Sequence, residues 1–144
     1  MNGFGGYIGS DVWLLQSTAI ASIDAPASLK DIIKVGDFIN HAVFTAGELQ
    51  HGCNKLLEDN LITWDGNKMS LSPEGKRILE PILVQKLKPY DELKAMKELL
   101  NTKPYDPDDK PPQFIGDNKF IVSPQDLRKA IEEYYYDIRK RGNY

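Results

Sequence analysis

Apolar residues recur every three or four positions near the start of the chain, which is the spacing of helices with one buried side. The first run predicts a helix from Ser10 to about residue 23, with the side chains of Ser10 and Asp11 available to cap its start. Ser28 and Asp31 then resemble a capping box and predict the start of a second helix. The chain is therefore expected to open with two amphipathic helices.

The clearest helix start is the capping box Thr45-Ala46-Gly47-Glu48, which predicts a third helix from Thr45 to about Asn60. A turn of about 100° per residue gives this helix an apolar side, formed by Leu49, Cys53, Leu56 and Leu57. Its polar side is formed by Gly47, His51, Asn54 and Glu58, with Lys55 directed toward it. The polar side is predicted to be free to contact a partner.

After the third helix, apolar and polar residues alternate on both sides of a short polar stretch. Ile62 and Trp64 precede Asp65-Gly66-Asn67-Lys68, and Met69 and Leu71 follow it. This pattern predicts a two-stranded hairpin with one buried face. Pairing Trp64 with Met69 and Ile62 with Leu71 matches apolar residues across the strands, whereas a two-residue Asp-Gly turn would mismatch them. The matched register is therefore the predicted one.

The residues after the hairpin predict two more helices. Ser72 is placed to cap the first of them, with Pro73 at its first position. Pro81 and Pro89 are expected to bend or end helices, with a new helix starting at Pro89. That helix carries an apolar stripe of Leu93, Met96, Leu99 and Leu100. Packing within one chain is the preferred interpretation of the stripe, and a homodimer seam is the alternative.

Three helices, a hairpin and a helix, in this order, are the elements of a winged helix-turn-helix. The run Leu56-Leu57-Glu58-Asp59-Asn60-Leu61-Ile62, followed by Leu71-Ser72-Pro73-Glu74-Gly75, resembles the recognition-helix end, the wing and the next helix start of MarR-like and PadR-like bacterial regulators. The stretch Asn40-His41-Ala42-Val43-Phe44 is also similar to a recurring feature of uncharacterised bacterial winged-helix proteins. The expected fold is mainly α with a small β-hairpin, and the winged helix-turn-helix covers about residues 10–80.

This resemblance implies a DNA-binding transcriptional regulator, with the third helix in the major groove of double-stranded DNA and the hairpin as the wing. It implies candidate DNA contacts at Gln50, His51, Asn54, Lys55, Asn67 and Lys68. A homodimer would suit palindromic DNA. The local charge is unfavourable, however, because Lys55 is the only cation between Thr45 and Asn60 and phosphate contacts supply much of DNA affinity.

The alternative function is a winged-helix module that binds another protein and does not bind DNA. The two functions predict different surfaces around Asn54, Lys55 and Lys68. A DNA-binding surface there would be positive, whereas a protein-binding surface would be apolar or acidic.

The chain beyond residue 80 is predicted to comprise a helical extension (81–103), a linker (104–112) and a C-terminal segment (113–144). The linker is rich in proline and aspartate, which disfavour regular structure. Phe114-Ile115 and Phe120-Ile121-Val122 flank four turn-forming residues, and they predict a second short hairpin. Ser123 and Pro124 then start a last helix, on which Tyr134 and Tyr135 are expected to pack and Arg139-Lys140-Arg141 form a basic end.

Composition adds constraints on partners and location. The formal net charge is −3, from 18 Lys and Arg against 21 Asp and Glu, so the whole chain has no basic field that would attract nucleic acid or a membrane. A single cysteine, Cys53, excludes an internal disulfide and favours the cytoplasm. The glycine-rich start, Met1 to Gly9, lacks the pattern of a signal peptide or of a nucleotide-binding loop, and is predicted to be a flexible terminus.

The sequence offers little chemistry for catalysis. The only candidate soft metal ligands are His41, His51 and Cys53, and His51 and Cys53 point about 200° apart on the predicted helix. Cys53 falls on the apolar side, where an inert core thiol is expected. We therefore expect no metal, no cofactor and no enzymatic activity.

Overall fold

The chain folds into six helices and a small antiparallel sheet in the computed structural model, which describes residues 4–117 and 119–140. In chain order the elements are α1 (Gly9–Ala21), β1 (Ala27–Ser28), α2 (Leu29–Asn40), α3 (Ala46–Glu58), β2 (Ile62–Trp64), β3 (Lys68–Leu71), α4 (Pro73–Leu83), α5 (Pro89–Leu99) and α6 (Pro124–Lys140). The protein is therefore mainly helical, and its strands form one three-stranded sheet.

Three of the predicted helix starts are confirmed by their caps. Ser28 Oγ accepts a hydrogen bond from Asp31 N at 3.2 Å. Ser72 Oγ accepts one from Gly75 N at 2.8 Å, with Pro73 at the first helical position. The capping box of α3 is complete, because Glu48 N donates to Thr45 Oγ1 at 3.1 Å and Thr45 N donates to Glu48 Oε1 at 2.9 Å. Local side-chain chemistry fixes these boundaries.

The start of α1 differs from the prediction that Ser10 and Asp11 cap it. The helix begins at Gly9, and the carboxylate of Asp11 reaches back to accept the Ile8 N–H at 3.0 Å. Ser10 Oγ is buried and makes no hydrogen bond with the described residues. The predicted flexible terminus is wrong at Tyr7, which is fully buried, and at Gly9, which begins α1. Met1 to Gly3 lie outside the described residues.

The sheet has the strand order β1-β3-β2. Ile62 pairs with Leu71 and Trp64 pairs with Met69, which confirms the predicted register. β1 was not predicted, and it lies on the other side of β3 with Ala27 opposite Met69. Because β1 immediately precedes α2, the sheet joins the start of α2 to the hairpin.

One hydrophobic core runs from Tyr7 to Ile138 and includes residues of every helix. Its centre is α1, in which every residue from Asp11 to Ala19 is buried because α2, α3, α5 and β3 pack around it. The apolar stripe of α5 joins this core within one chain, with Met96 and Leu100 fully buried. The preferred interpretation of that stripe is therefore confirmed.

The predicted C-terminal hairpin is wrong for the residues that the structure describes. Between residues 113 and 123 there is no strand in the described part, and Asn118 in the predicted turn lies outside it. The physical reason is that the backbone of Ile115 bonds to a side chain of α3 and not to a second strand. The chain then enters α6, whose start is capped as predicted by Ser123 Oγ.

Helix α6 packs against α2 and α3. The Tyr134 hydroxyl donates to Asp37 Oδ2 at 2.6 Å, and Lys30 Nζ lies 3.0 Å from Asp137 Oδ2. Tyr134 is buried as predicted, whereas 42% of Tyr135 is exposed. Of the predicted basic end, Arg139 and Lys140 are exposed, and Arg141 lies outside the described residues.

Candidate interaction site around the third helix

The polar side of α3 is covered by three separate parts of the chain. Residues 112–115, here called the covering segment, lie against its first half. The start of α1 contacts its middle, and the residues before α1 contact its second half. Three of the sequence-predicted contact residues of this helix, Gln50, His51 and Lys55, therefore contact other parts of the same chain.

Gln50 is almost completely buried, with 3% of its surface exposed. Its Nε2 donates to the Ile115 carbonyl oxygen at 2.8 Å, and its Oε1 accepts the Ile115 N–H at 2.7 Å. Both ends of the amide are thus bonded to the backbone of one residue of the covering segment. An amide that is buried and paired in this way has no free donor–acceptor edge for a nucleic-acid base.

Gly47 lies one helical turn before Gln50 and lets the covering segment approach the helix backbone. A Cβ at this position would be 2.0 Å from the Pro112 carbonyl oxygen. Any side chain would therefore displace the segment. The prediction that the polar side of the helix is free is wrong at Gly47, and the candidate contact residue Gln50 is buried beneath the covering segment as well.

His51 is paired with a fully buried carboxylate of α1. Its Nδ1 lies 2.7 Å from Asp11 Oδ1, while the other carboxylate oxygen of Asp11 caps the helix start. The hydrogen bond to Asp11 raises the pKa of His51 above its ordinary value, against opposing effects of burial and of Lys55. The imidazole thus links α1 to α3, and its raised pKa favours the protonated form.

The His51–Asp11 pair predicts a specific pH dependence of stability. Folding raises the pKa of His51, so the stability it confers is full below the ordinary imidazole pKa of about 6.5 and is lost as the pH rises through the higher folded-state value. The loss is expected to be below about 1 kcal/mol, because solvent screens a partly exposed pair. The measurement is urea unfolding between about pH 6 and about pH 8.5.

The His51→Gln variant is expected to lose this component of the pH dependence. The matched control is His41→Asn, which changes the other histidine, at the left-handed end of α2, to a residue that tolerates that conformation. The control should keep the wild-type pH dependence. A pH dependence that is unchanged in His51→Gln would contradict the assignment.

Lys55, the only lysine or arginine of α3, contacts residues of the same chain. Its Nζ lies 3.7 Å from Asp59 Oδ2 and 5.1 Å from the ring centre of Tyr7. The Tyr7 hydroxyl donates to the same Asp59 oxygen at 2.6 Å, and burial followed by this hydrogen bond raises the pKa of Tyr7. The positive charge is therefore partly neutralised, and Glu58 beside it is exposed and acidic.

The remaining candidate residues lie in two places. Asn54 is partly exposed on α3, whereas Asn67 and Lys68 are exposed at the hairpin tip. Asp65 Oδ1 accepts the backbone N–H groups of Asn67 and Lys68 at 2.8 and 2.6 Å, and these bonds hold the pKa of Asp65 below its ordinary value. The tip therefore has internal hydrogen bonds and carries a carboxylate close to its lysine.

The hairpin tip faces a shallow groove. Asn67 lines this groove with residues from the start of α2 and from α6, which include Lys30, Asp126, Lys129 and Glu133. The groove has charges of both signs. The tip is therefore not part of a uniformly positive surface at this point.

Sequence reasoning missed Asp11, Tyr7 and Ile115 as partners of α3. Their contacts link residues that are 40, 52 and 65 positions apart in the chain, so no local pattern indicates them. Gly47 did carry a signal, because glycine inside a helix costs about 1 kcal/mol relative to alanine and often marks a close backbone approach.

Cys53 is buried against α1, and burial raises the pKa of its thiol to about 12, which makes it an inert core residue. Within residues 4–117 and 119–140, no three His, Cys, Asp or Glu side chains are grouped in a way that could hold a metal ion. The described helices are each too short or too polar to cross a membrane.

The chain matches no model of a protein family, no curated protein and no solved structure.

Proposed function

We propose that this chain is a winged helix-turn-helix module that binds another protein and does not read DNA with its third helix. The observation that carries the proposal is the pairing of the Gln50 amide with both backbone groups of Ile115. Asparagine and glutamine recognise adenine through the same two amide groups. In this chain those groups serve contacts inside the module.

The charge near α3 supports the same proposal. Lys55 is paired with Asp59, and Glu58 and Asn60 are the exposed residues at the end of the helix. DNA affinity depends on cations that contact phosphate. The cationic groups of this face, Lys55 and His51, are each paired with a carboxylate of the same chain, and Glu58 adds an exposed acidic charge. Such a face is better suited to a protein partner than to a duplex.

A DNA-binding regulator is the second candidate function, and the exposed hairpin tip favours it. Asn67 and Lys68 project from the tip, and Lys34 and Lys76 are exposed elsewhere on the module. DNA binding would then depend on the wing more than on α3. The gene-regulatory role implied by the sequence resemblance belongs to this second candidate.

A selection from random duplex DNA across a salt series tests the proposal, with the mass of the protein in solution recorded in the same buffer. We expect no retained DNA even at low salt, and no difference between the wild type and the Lys55→Glu, Lys68→Glu double variant. Circular dichroism should show that the double variant is folded. Enrichment of a motif with salt-sensitive affinity, which the double variant loses, would overturn the proposal in favour of the regulator.

A further inference from the structure

The first half of α3 has the features of a site that binds the backbone of an extended peptide. Gly47 allows a peptide carbonyl to lie directly against the helix, where a Cβ would be 2.0 Å from the Pro112 oxygen. One turn later, Gln50 bonds both the N–H and the C=O of Ile115. These contacts hold backbone groups, so they accept many side chains at the positions that they fix.

The residue before the bonded one makes a side-chain contact. Phe114 is half-buried, and the guanidinium of Arg128 on α6 lies 4.6 Å from its ring centre. This distance is within the range of a cation–π contact. Gly47, Gln50 and Arg128 together form the docking site, and its present occupant has the sequence Pro112-Gln113-Phe114-Ile115.

The contacts of the covering segment are concentrated at Pro112, Phe114 and Ile115, and the residues around them are exposed. Gln113 is exposed, and 56% of the surface of Ile115 is exposed. The preceding residues, 103–111, are all exposed and contain no helix or strand. Opening of this segment must break the contacts of Pro112, Phe114 and Ile115, but it needs no helix or strand to unfold.

An open groove adjoins the docking site and offers contacts beyond those that the covering segment makes. It runs between the connection that precedes α3 and helix α6, and Arg128 lines it as well. Its apolar lining is formed by Val43, Phe44, Ile131 and Tyr135. A peptide that continued from the docking site into this groove would bury additional apolar surface, which favours it over the chain's own segment.

We infer that Gly47, Gln50 and Arg128 form a binding site for an extended segment of a partner protein, and that the covering segment occupies this site until the partner displaces it. The partner segment carries an aromatic residue at the position of Phe114, an extended residue after it, and a proline two positions before it. This inference rests on the proposed function, because it names where the module binds its protein partner and by what chemistry.

The test uses a fluorescent peptide with the sequence of residues 110–116 and measures its anisotropy with the full chain. Phe114→Ala should open the site by weakening the covering segment, and Ile115→Pro should do so by removing the N–H that Gln50 accepts. The covering segment competes at an effective concentration in the millimolar range, so both opened proteins should bind the peptide at least about tenfold more tightly than the wild type.

Substitutions within the docking site then test the assignment. Adding Gln50→Ala to the Phe114→Ala protein should weaken peptide binding about tenfold or more, because two hydrogen bonds are lost. Gly47→Ala should have a similar effect by blocking the close approach. The matched control is Asn54→Ala, which changes a polar residue one turn farther along the same helix and should leave binding unchanged.

Two results would overturn the inference. One is that neither opened protein binds the peptide, although circular dichroism shows that it is folded. The other is binding that Gln50→Ala and Gly47→Ala leave unchanged. Either result leaves the proposed function intact if the DNA selection retains nothing, whereas recovery of a DNA motif would overturn the proposed function separately.

Discussion

Replacing Trp13 with alanine is expected to lower the free energy of unfolding by about 3–5 kcal/mol, the usual cost of truncating a buried tryptophan. The indole ring stacks on Phe44 with 3.6 Å between ring centres, and its N–H donates to the Gly36 carbonyl oxygen at 3.1 Å. Trp13 therefore joins α1 to α2 and to the connection before α3. Its removal would leave a cavity and would take away the hydrogen bond between the indole and the Gly36 carbonyl oxygen.

Urea unfolding followed by circular dichroism measures this effect. Trp13→Phe keeps an aromatic ring but removes the N–H donor, so its loss of stability should be intermediate. Tyr105→Ala is the surface control, because 90% of Tyr105 is exposed, and it should change stability by less than about 0.5 kcal/mol. A loss below about 1 kcal/mol for Trp13→Ala would show that this stack does not hold the helices together.

Replacing Gly75 with alanine is expected to cost about 2–3 kcal/mol, although alanine favours helices by about 1 kcal/mol over glycine. The added Cβ would lie 2.1 Å from the Leu61 carbonyl oxygen, which also accepts the Ser72 N–H at 3.0 Å. Because the atom that the Cβ would meet belongs to the backbone, rotation of a side chain cannot relieve the clash. The start of α4 would have to move away from the end of α3 and the hairpin.

The control for this prediction is Gly116→Ala, since no atom lies within 4 Å of the Cβ position there. It should change the free energy of unfolding by less than about 0.5 kcal/mol. Both proteins can be measured by the same urea titration. Equal stability of the Gly75→Ala and Gly116→Ala proteins would show that α4 can shift freely against the residues after α3.

The parts of the fold that the sequence predicted correctly depend on neighbouring residues. The caps at Ser28, Thr45 and Ser72 each involve residues three positions apart, and the hairpin register follows from alternation over ten residues from Ile62 to Leu71. Interactions of this range are encoded locally. Local sequence patterns are therefore sufficient to predict these caps and this register.

The parts that the sequence did not predict depend on contacts between distant residues. β1 exists only because Ala27 meets Met69 on β3, and the segment at Ile115 remains outside the sheet because Gln50 takes both of its backbone groups. The prediction of the candidate site was less accurate than that of the fold because of such contacts. Lys55 was assigned to the polar side of α3 and Gln50 was named as a candidate contact, but their partners Asp59 and Ile115 make both residues part of internal contacts.

The long sequence separation of the contacts made by α6 and by the covering segment has a consequence for protein synthesis. The bond between Tyr134 and Asp37 joins residues 97 positions apart, and the bonds between Gln50 and Ile115 span 65 positions. Chains fold from the N-terminus as they are made. The helix that carries Gly47 and Gln50 therefore leaves the ribosome well before its covering segment, so the nascent chain passes through a stage in which that surface is accessible to chaperones and to early-binding partners.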